Sequence, residues 1–288
     1  METIIESVVS PVVSSPSGSA AAASDTVPAS PSHILGLKTH VDVPEELFSA
    51  KTLSDIKDKS FQSLLVEFVK KNPEIDFVYR FDLPPCGNVD RGLMQGHKSL
   101  SLLPFDTGKG IFVGGSAALH YIASFVKGLS TLNWKATDVD LFFLNCSENT
   151  RMSEAPGNLD FVFCQDKTIE DVLLNFDLPC CRVGFDFKYN YYVSAQALVA
   201  IFTGKMYMPE YFNNENDFMK KLYSYSIADT PDRSHAYSIT RMIVKRFYER
   251  VKKYQSRGFK TVYTHLDYLL PWVENRFTYI DFTNKLDL

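Results

Sequence analysis

Residues 109–144, KGIFVGGSAALHYIASFVKGLSTLNWKATDVDLFFL, decide how this chain is read. An apolar run, Ile111 to Val113, stops at Gly114-Gly115-Ser116, and a helical pattern follows over about Ala117 to Leu129. A second apolar run, Val139 to Leu144, opens with two aspartates one residue apart, Asp138 and Asp140. The expected order is strand, glycine turn, helix, strand.

Two glycines between a strand and a helix permit positive φ and leave no Cβ in the way of an incoming group. The free N–H groups of the following helix face that opening, and Ser116 adds a hydroxyl, a combination suited to phosphate. The plainer alternative is a tight turn in which Ser116 caps the helix. The turn is not a P-loop, because no Lys-Ser/Thr pair follows the glycines. Strand alternation puts Asp138 and Asp140 on one face, roughly 6.6 Å apart. At an effective dielectric near 20 their repulsion is about 2.5 kcal/mol. A divalent cation, an arginine or a raised pKa is needed to offset it. Oxygen-only ligands favour Mg²⁺ or Mn²⁺. The alternative is a surface carboxylate and a partner for a lysine such as Lys135.

Outward from this unit, residues 1–34 are rich in Ser, Ala and Pro and read as a disordered tail. Residues 35–209 read as an α/β core with an N-terminal helical elaboration, and 210–288 as a helical C-terminal lobe. FQSLLVEFVKK is helical, with Phe61, Leu64, Leu65 and Phe68 on one face; DFVYRFDLPPC is a strand entering a Pro-Pro turn, and 87–100 a loop. DFVFC is a further strand, TIEDVLLNF a helix, and YNYYVS a hairpin partner of VGFDF. AQALVAIFTG is a helix ended by Gly204, and Gly258 stops the long helix that begins near Ser234. FDLPPC at 81 and FDLPCC at 176 share no flanking sequence, so no repeat is read into them.

The chain has 288 residues, 45% of them hydrophobic, with 22 Phe and 15 Tyr, enough to bury a substantial core. A net charge of −4 provides no global attraction for nucleic acid or acidic lipid, so any anion site must be local. The five cysteines, Cys86, Cys146, Cys164, Cys180 and Cys181, include no CxxC pair and read as reduced core thiols of an intracellular protein. The N-terminus lacks the basic region of a secretory signal, and no apolar run approaches the ~20 residues of a membrane span.

VGGSAALHYI…TDVDLFF resembles the signature of the DNA polymerase β-like nucleotidyltransferase superfamily: Gly-Gly-Ser, a helix, then D-x-D on the next strand. TIEDVLLNFDLPCCRVGFDFKYNYYVSAQALVAIFTGKMY, with KKYQSRGF after it, is similar to nucleotidyltransferase-like regions of phage and bacterial proteins and of fungal and giant-virus ankyrin-repeat proteins. The likeness covers roughly residues 105–260, and no ankyrin repeat is present. It implies a mixed sheet with flanking helices and two-metal transfer of a nucleoside monophosphate from a nucleoside triphosphate, ATP or another, to a hydroxyl of a nucleic acid, protein or small molecule. Asp138, Asp140 and a third aspartate would hold Mg²⁺ or Mn²⁺, while Gly114, Gly115 and Ser116 would hold phosphates. Asp177, at the start of an expected strand FDLPCCRV, and Asp186, near a hairpin, are the two choices for the third carboxylate. Pro179 counts against the first and local turn chemistry against the second. Without a third acid the fold would persist as an inactive module binding nucleic acid or a protein partner, such as a virus-encoded accessory protein.

In the long helix, Arg246, Arg250, Lys253 and Arg257 form a basic stripe that either contacts nucleic acid or triphosphate or is simply solvated. Arg241 and Lys245, one turn earlier, are expected to reach the nucleotide. His120 reads as a packed or capping histidine, His97 lies in a polar loop, and Tyr191 or Tyr192 either packs the sheet or stacks on a base.

Overall fold

The computed structural model describes residues 34–36, 42–52, 54–82, 110–128, 132–146, 150–154, 159–165, 167–186, 190–209, 212, 214–229, 232–262, 266–274 and 276. The expected tail before residue 34, the Pro-Pro turn, the 87–100 loop, His97 and Cys86 lie outside them. Ten strands are described: β1 (Ile34–Leu35), β2 (Val78–Asp82), β3 (Ile111–Gly114), β4 (Val139–Cys146), β5 (Thr150–Glu154), β6 (Leu159–Gln165), β7 (Val183–Asp186), β8 (Asn190–Ser194), β9 (Lys205–Tyr207) and β10 (Lys260–Val262). The helices are α1 (Lys59–Lys71), α2 (Gly115–Lys127), α3 (Ile169–Leu174), α4 (Ala195–Thr203), α5 (Glu215–Asp229), α6 (Arg233–Ser256) and α7 (Leu270–Val273). Eight strands form one mixed sheet in the order β1-β2-β8-β7-β3-β4-β6-β5; β9 and β10 pair separately. Within the large sheet only β4 and β6 run parallel.

Period-two alternation divides this sheet's side chains between two packed faces. On one, Tyr79, Phe81, Val183, Tyr191 and Val193 join a core with α1, α2 and α4. Phe61 of α1 meets Tyr79 edge-on at 6.0 Å, and Tyr121 of α2 stacks on Tyr191 at 5.1 Å. On the other, Val78, Phe112, Phe142 and Tyr192 pack with Val172 and Leu173 of α3. Helix starts follow local chemistry. The Asp58 carboxylate accepts from the Phe61 N–H, Thr168 and Asp171 form a capping box, and the Ser194 hydroxyl accepts from Ala197 N–H. Gly204 ends α4 in the left-handed region at φ 71°. The apolar face of α6, with Val244, Phe247, Val251 and Tyr254, merges into the core shared by α1, α2 and α4, so packing continues across residue 209.

Asp177 does not open a strand. Pro179 starts a 3-10 turn over Pro179–Cys181, having no N–H to give a ladder, and β7 begins only at Val183. The cysteines among the described residues are free thiols, as expected, and burial pushes the Cys164 thiol up to about 11.

Arg182 joins four segments beneath the sheet. Its Nη1 donates to Asp76 Oδ2 at 2.8 Å and Gln196 Oε1 at 3.0 Å, and its Nε donates to the Phe176 carbonyl at 3.0 Å. Gln196 in turn donates its backbone N–H to Asp76 Oδ1 at 3.1 Å and its amide to the Pro73 carbonyl at 2.6 Å. The Arg182 and Asp76 side chains are only 14% and 7% exposed, so removing one strands the other's charge. Arg182→Met is expected to cost about 3–5 kcal/mol in urea unfolding. A loss of less than ~1 kcal/mol would show that the network does not clamp these segments.

Candidate functional site at the glycine turn

The turn between β3 and α2 is built from two glycines with different reasons to be glycine. Gly114 is extended, and a Cβ there would meet Phe142 Cε2 at 2.8 Å. Gly115 has φ +70°, and a Cβ on it would lie 3.2 Å from Asp140 Oδ2. The first makes room for an aromatic ring; the second brings bare backbone against a carboxylate. Ser116 does not cap α2 through its side chain. Its hydroxyl instead donates to Asp138 Oδ1 at 3.2 Å, as does that of Thr137 at 3.2 Å.

Strand register explains why both acids arrive here. Antiparallel pairing sets Gly114 opposite Asp140, and the i, i+2 spacing sends Asp138 to the same face. Lys253 Nζ of α6 lies 3.8 Å from Asp138 Oδ2. Burial pushes the Asp138 carboxyl up, but Lys253 and the Ser116 and Thr137 hydroxyls outweigh it and hold the group below its ordinary value.

The two choices for a third carboxylate fare differently. Asp177 stays near the turn, because the preceding Phe176 ring would lie 3.9 Å from a Gly115 Cβ and packs on Phe142 at 5.5 Å. Its Oδ1, however, pairs with Arg250 Nη2 at 3.0 Å and accepts from the Leu178 N–H at 2.8 Å. Asp186 belongs to the β7–β8 hairpin: its carboxylate accepts from Asn190 N at 2.9 Å, Asn190 Nδ2 at 2.7 Å and Tyr192 Oη at 3.1 Å. Asp186 is in register with Phe112, whose ring stacks on Phe142 at 4.9 Å, and β3 separates its strand from that of Asp140. The structure therefore does not bring Asp186 to the pair. It brings Asp160 instead, which stands beside Asp140 in the parallel β4–β6 register. Sequence reasoning missed it, although DFVFC is a recognisable strand, because nothing local says which strand will flank β4.

The helical cations also need correcting. Arg250 and Lys253, one turn apart, both reach acids at the turn. Arg241 lies nine residues before Arg250, about two and a half turns, and so on the opposite side of α6. Exposed Lys245 shares that far flank. Neither Arg241 nor Lys245 is brought to the turn. His120 is packed, meeting Trp134 edge-on at 5.0 Å. Burial lowers its pKa; a hydrogen bond to the Trp134 backbone opposes this, and Arg257 and Lys135 add to the lowering. Tyr191 and Tyr192, 2% and 7% exposed, pack in the sheet rather than waiting for a base.

No protein-family model, curated protein or solved structure matches this chain. Among the described residues no three His, Cys, Asp or Glu side chains lie close enough to hold a metal ion by themselves, and no helix is long and apolar enough to cross a membrane.

The lowered Asp138 pKa fixes the sign of a pH effect. Its contribution to stability is complete above the unfolded value near 3.8 and is lost as pH falls through the lower folded value. Carboxyl NMR is expected to show Asp138 titrating below 3.8 in the native protein and closer to it in Lys253→Met. An identical titration in the two proteins would remove Lys253 as a cause.

Proposed function

We propose that the glycine turn binds a nucleoside triphosphate and that the protein transfers its nucleoside monophosphate to a hydroxyl acceptor, a nucleic acid or a protein being the acceptors in view. What carries this reading is the approach of Gly115 backbone to Asp140 Oδ2, with Ser116 bonded to Asp138 beside it. Turn backbone of the kind suited to phosphate thus lies beside the paired carboxylates. The turn's resemblance to the nucleotidyltransferase signature supports the same reading, as does a mixed sheet flanked by helices.

Mg²⁺ commonly takes one or two carboxylates and completes its shell from substrate phosphates and water. Asp138 and Asp140 fit that requirement, whereas a protein-only cage has no support among the described residues. When bound, Mg²⁺ or Mn²⁺ would supply charge neutralisation at the triphosphate. The chain's own groups do the rest. Backbone N–H groups of the turn and the Ser116 hydroxyl orient phosphate oxygens, and Lys253 and Arg250 offset their charge. The acceptor oxygen forms a bond to the α-phosphorus as the bond to pyrophosphate breaks, and pyrophosphate leaves with the electron pair. The hydroxyl proton passes to a carboxylate of the Asp138, Asp140 and Asp160 group.

A second reading, an inactive nucleotidyltransferase-fold module that binds nucleic acid or a protein, is favoured by one observation. Asp138 and Asp177 each face a cation of α6, at 3.8 and 3.0 Å. Equilibrium binding of labelled ATP and GTP, with and without Mg²⁺, separates the two. The first reading expects Mg²⁺-dependent binding and transfer of label, with transfer reduced at least ~100-fold in Asp138→Asn while its melting transition persists. No affinity for any nucleotide in the wild-type protein would favour the second.

A further inference from the structure

The glycine-turn site has a second tier. Ser116, Asp138 and Lys253 form the first, through contacts of 3.2 and 3.8 Å. Four residues along α2 from Ser116 stands His120; four residues before Asp138 is Trp134; four residues after Lys253 is Arg257. These three also meet. His120 lies edge-on to Trp134 at 5.0 Å, and the Arg257 guanidinium lies over the Trp134 ring at 4.5 Å and the Tyr254 ring at 5.1 Å. Ser116 to His120 is about one turn of α2 and Lys253 to Arg257 about one turn at the end of α6, while residues 134–138 run between the two groups without helical structure.

The second tier carries unused hydrogen-bonding capacity. Trp134 Nε1 and Arg257 Nη1 are both buried and have no hydrogen-bond partner among the described residues. Ring faces attract the guanidinium charge but accept poorly from its N–H groups in the plane. Folded proteins leave few buried donors unsatisfied, and here two sit on side chains in contact with each other. Indole and guanidinium are donors only, so the missing partner is a hydrogen-bond acceptor. The permanent charge of Arg257, with Lys135 and Lys253 nearby and Asp138 already facing Lys253, favours a polyanionic oxygen group.

We propose that Trp134 and Arg257 form a phosphate-binding subsite next to the glycine turn. Trp134 Nε1 donates one hydrogen bond and the Arg257 guanidinium the others, while stacking on Trp134 and Tyr254 fixes the plane of the fork. As whole residues both are only partly buried, so movement of the Arg257 side chain is the route by which an oxygen reaches the two buried N–H groups. This inference does not depend on nucleotidyl transfer: the subsite would bind phosphate even in an inactive module.

The chain has two tryptophans, Trp134 and Trp272, so the fluorescence lost in Trp134→Phe isolates the signal of Trp134. Inorganic phosphate is expected to change that signal and raise the melting temperature of the full chain, while acetate at equal ionic strength does neither. Trp134→Phe keeps the stacked ring and loses only the N–H. It is expected to weaken phosphate binding roughly tenfold by thermal shift, and Arg257→Lys to do the same if the tryptophan variant fails to fold. Asp138→Asn should keep the phosphate response of Trp134 even where it loses nucleotide transfer, so the two readings fail separately. The subsite is overturned if acetate acts as phosphate does. It is equally overturned if a folded Trp134→Phe or Arg257→Lys binds phosphate as the wild type does.

Discussion

The register that sets Gly114 opposite Asp140 is the constraint on which the site rests. A one-residue slip would reverse the faces of β4, sending Val139 and Leu141 toward the turn and both aspartates into the apolar layer made by Ile111, Val113 and Phe161. Burying two unpaired carboxylates there would cost more than a marginally stable domain can lose. The register is also locked sterically, because Gly114 leaves the space that Phe142 fills and Gly184 does the same for Phe112. The glycines that open the site are thus part of the packing that holds it.

Two further pieces stabilise the turn from outside the strand pair. Arg182 fixes the Phe176 carbonyl, and so places the Phe176 ring against Gly115 and Phe142. Helix α6, buried along Val244, Phe247, Val251 and Tyr254, presents Arg250 and Lys253 to the acids. The repulsion between Asp138 and Asp140 is therefore met at least in part by Lys253. These ion pairs are partly exposed, with Lys253 and Asp138 side chains at 43% and 38%, so water and salt weaken them.

Much of the local structure was legible. The 3.6 period marked α1, α4 and α6, glycines at 204 and 258 marked their stops, and the strand–turn–helix–strand unit at 111–146 formed where the pattern placed it. The expected strand at FDLPCCRV does not form because Pro179, which has no N–H for a ladder, starts a 3-10 turn instead. Asp186 failed for an equally local reason, its carboxylate being consumed by the Asn190 and Tyr192 hairpin contacts.

By itself the sequence determined the long helices, the strands either side of the glycine turn, where that turn falls, and that Asp138 and Asp140 share a face. These depend on residues within a few positions of one another. Only the tertiary structure decided that Asp160 stands beside Asp140, that Asp177 answers Arg250, and that Lys253 rather than Lys245 meets the site. Strand order in a sheet and the rotation of a packed helix follow from burying apolar surface across the whole chain, and no short window of residues contains that sum.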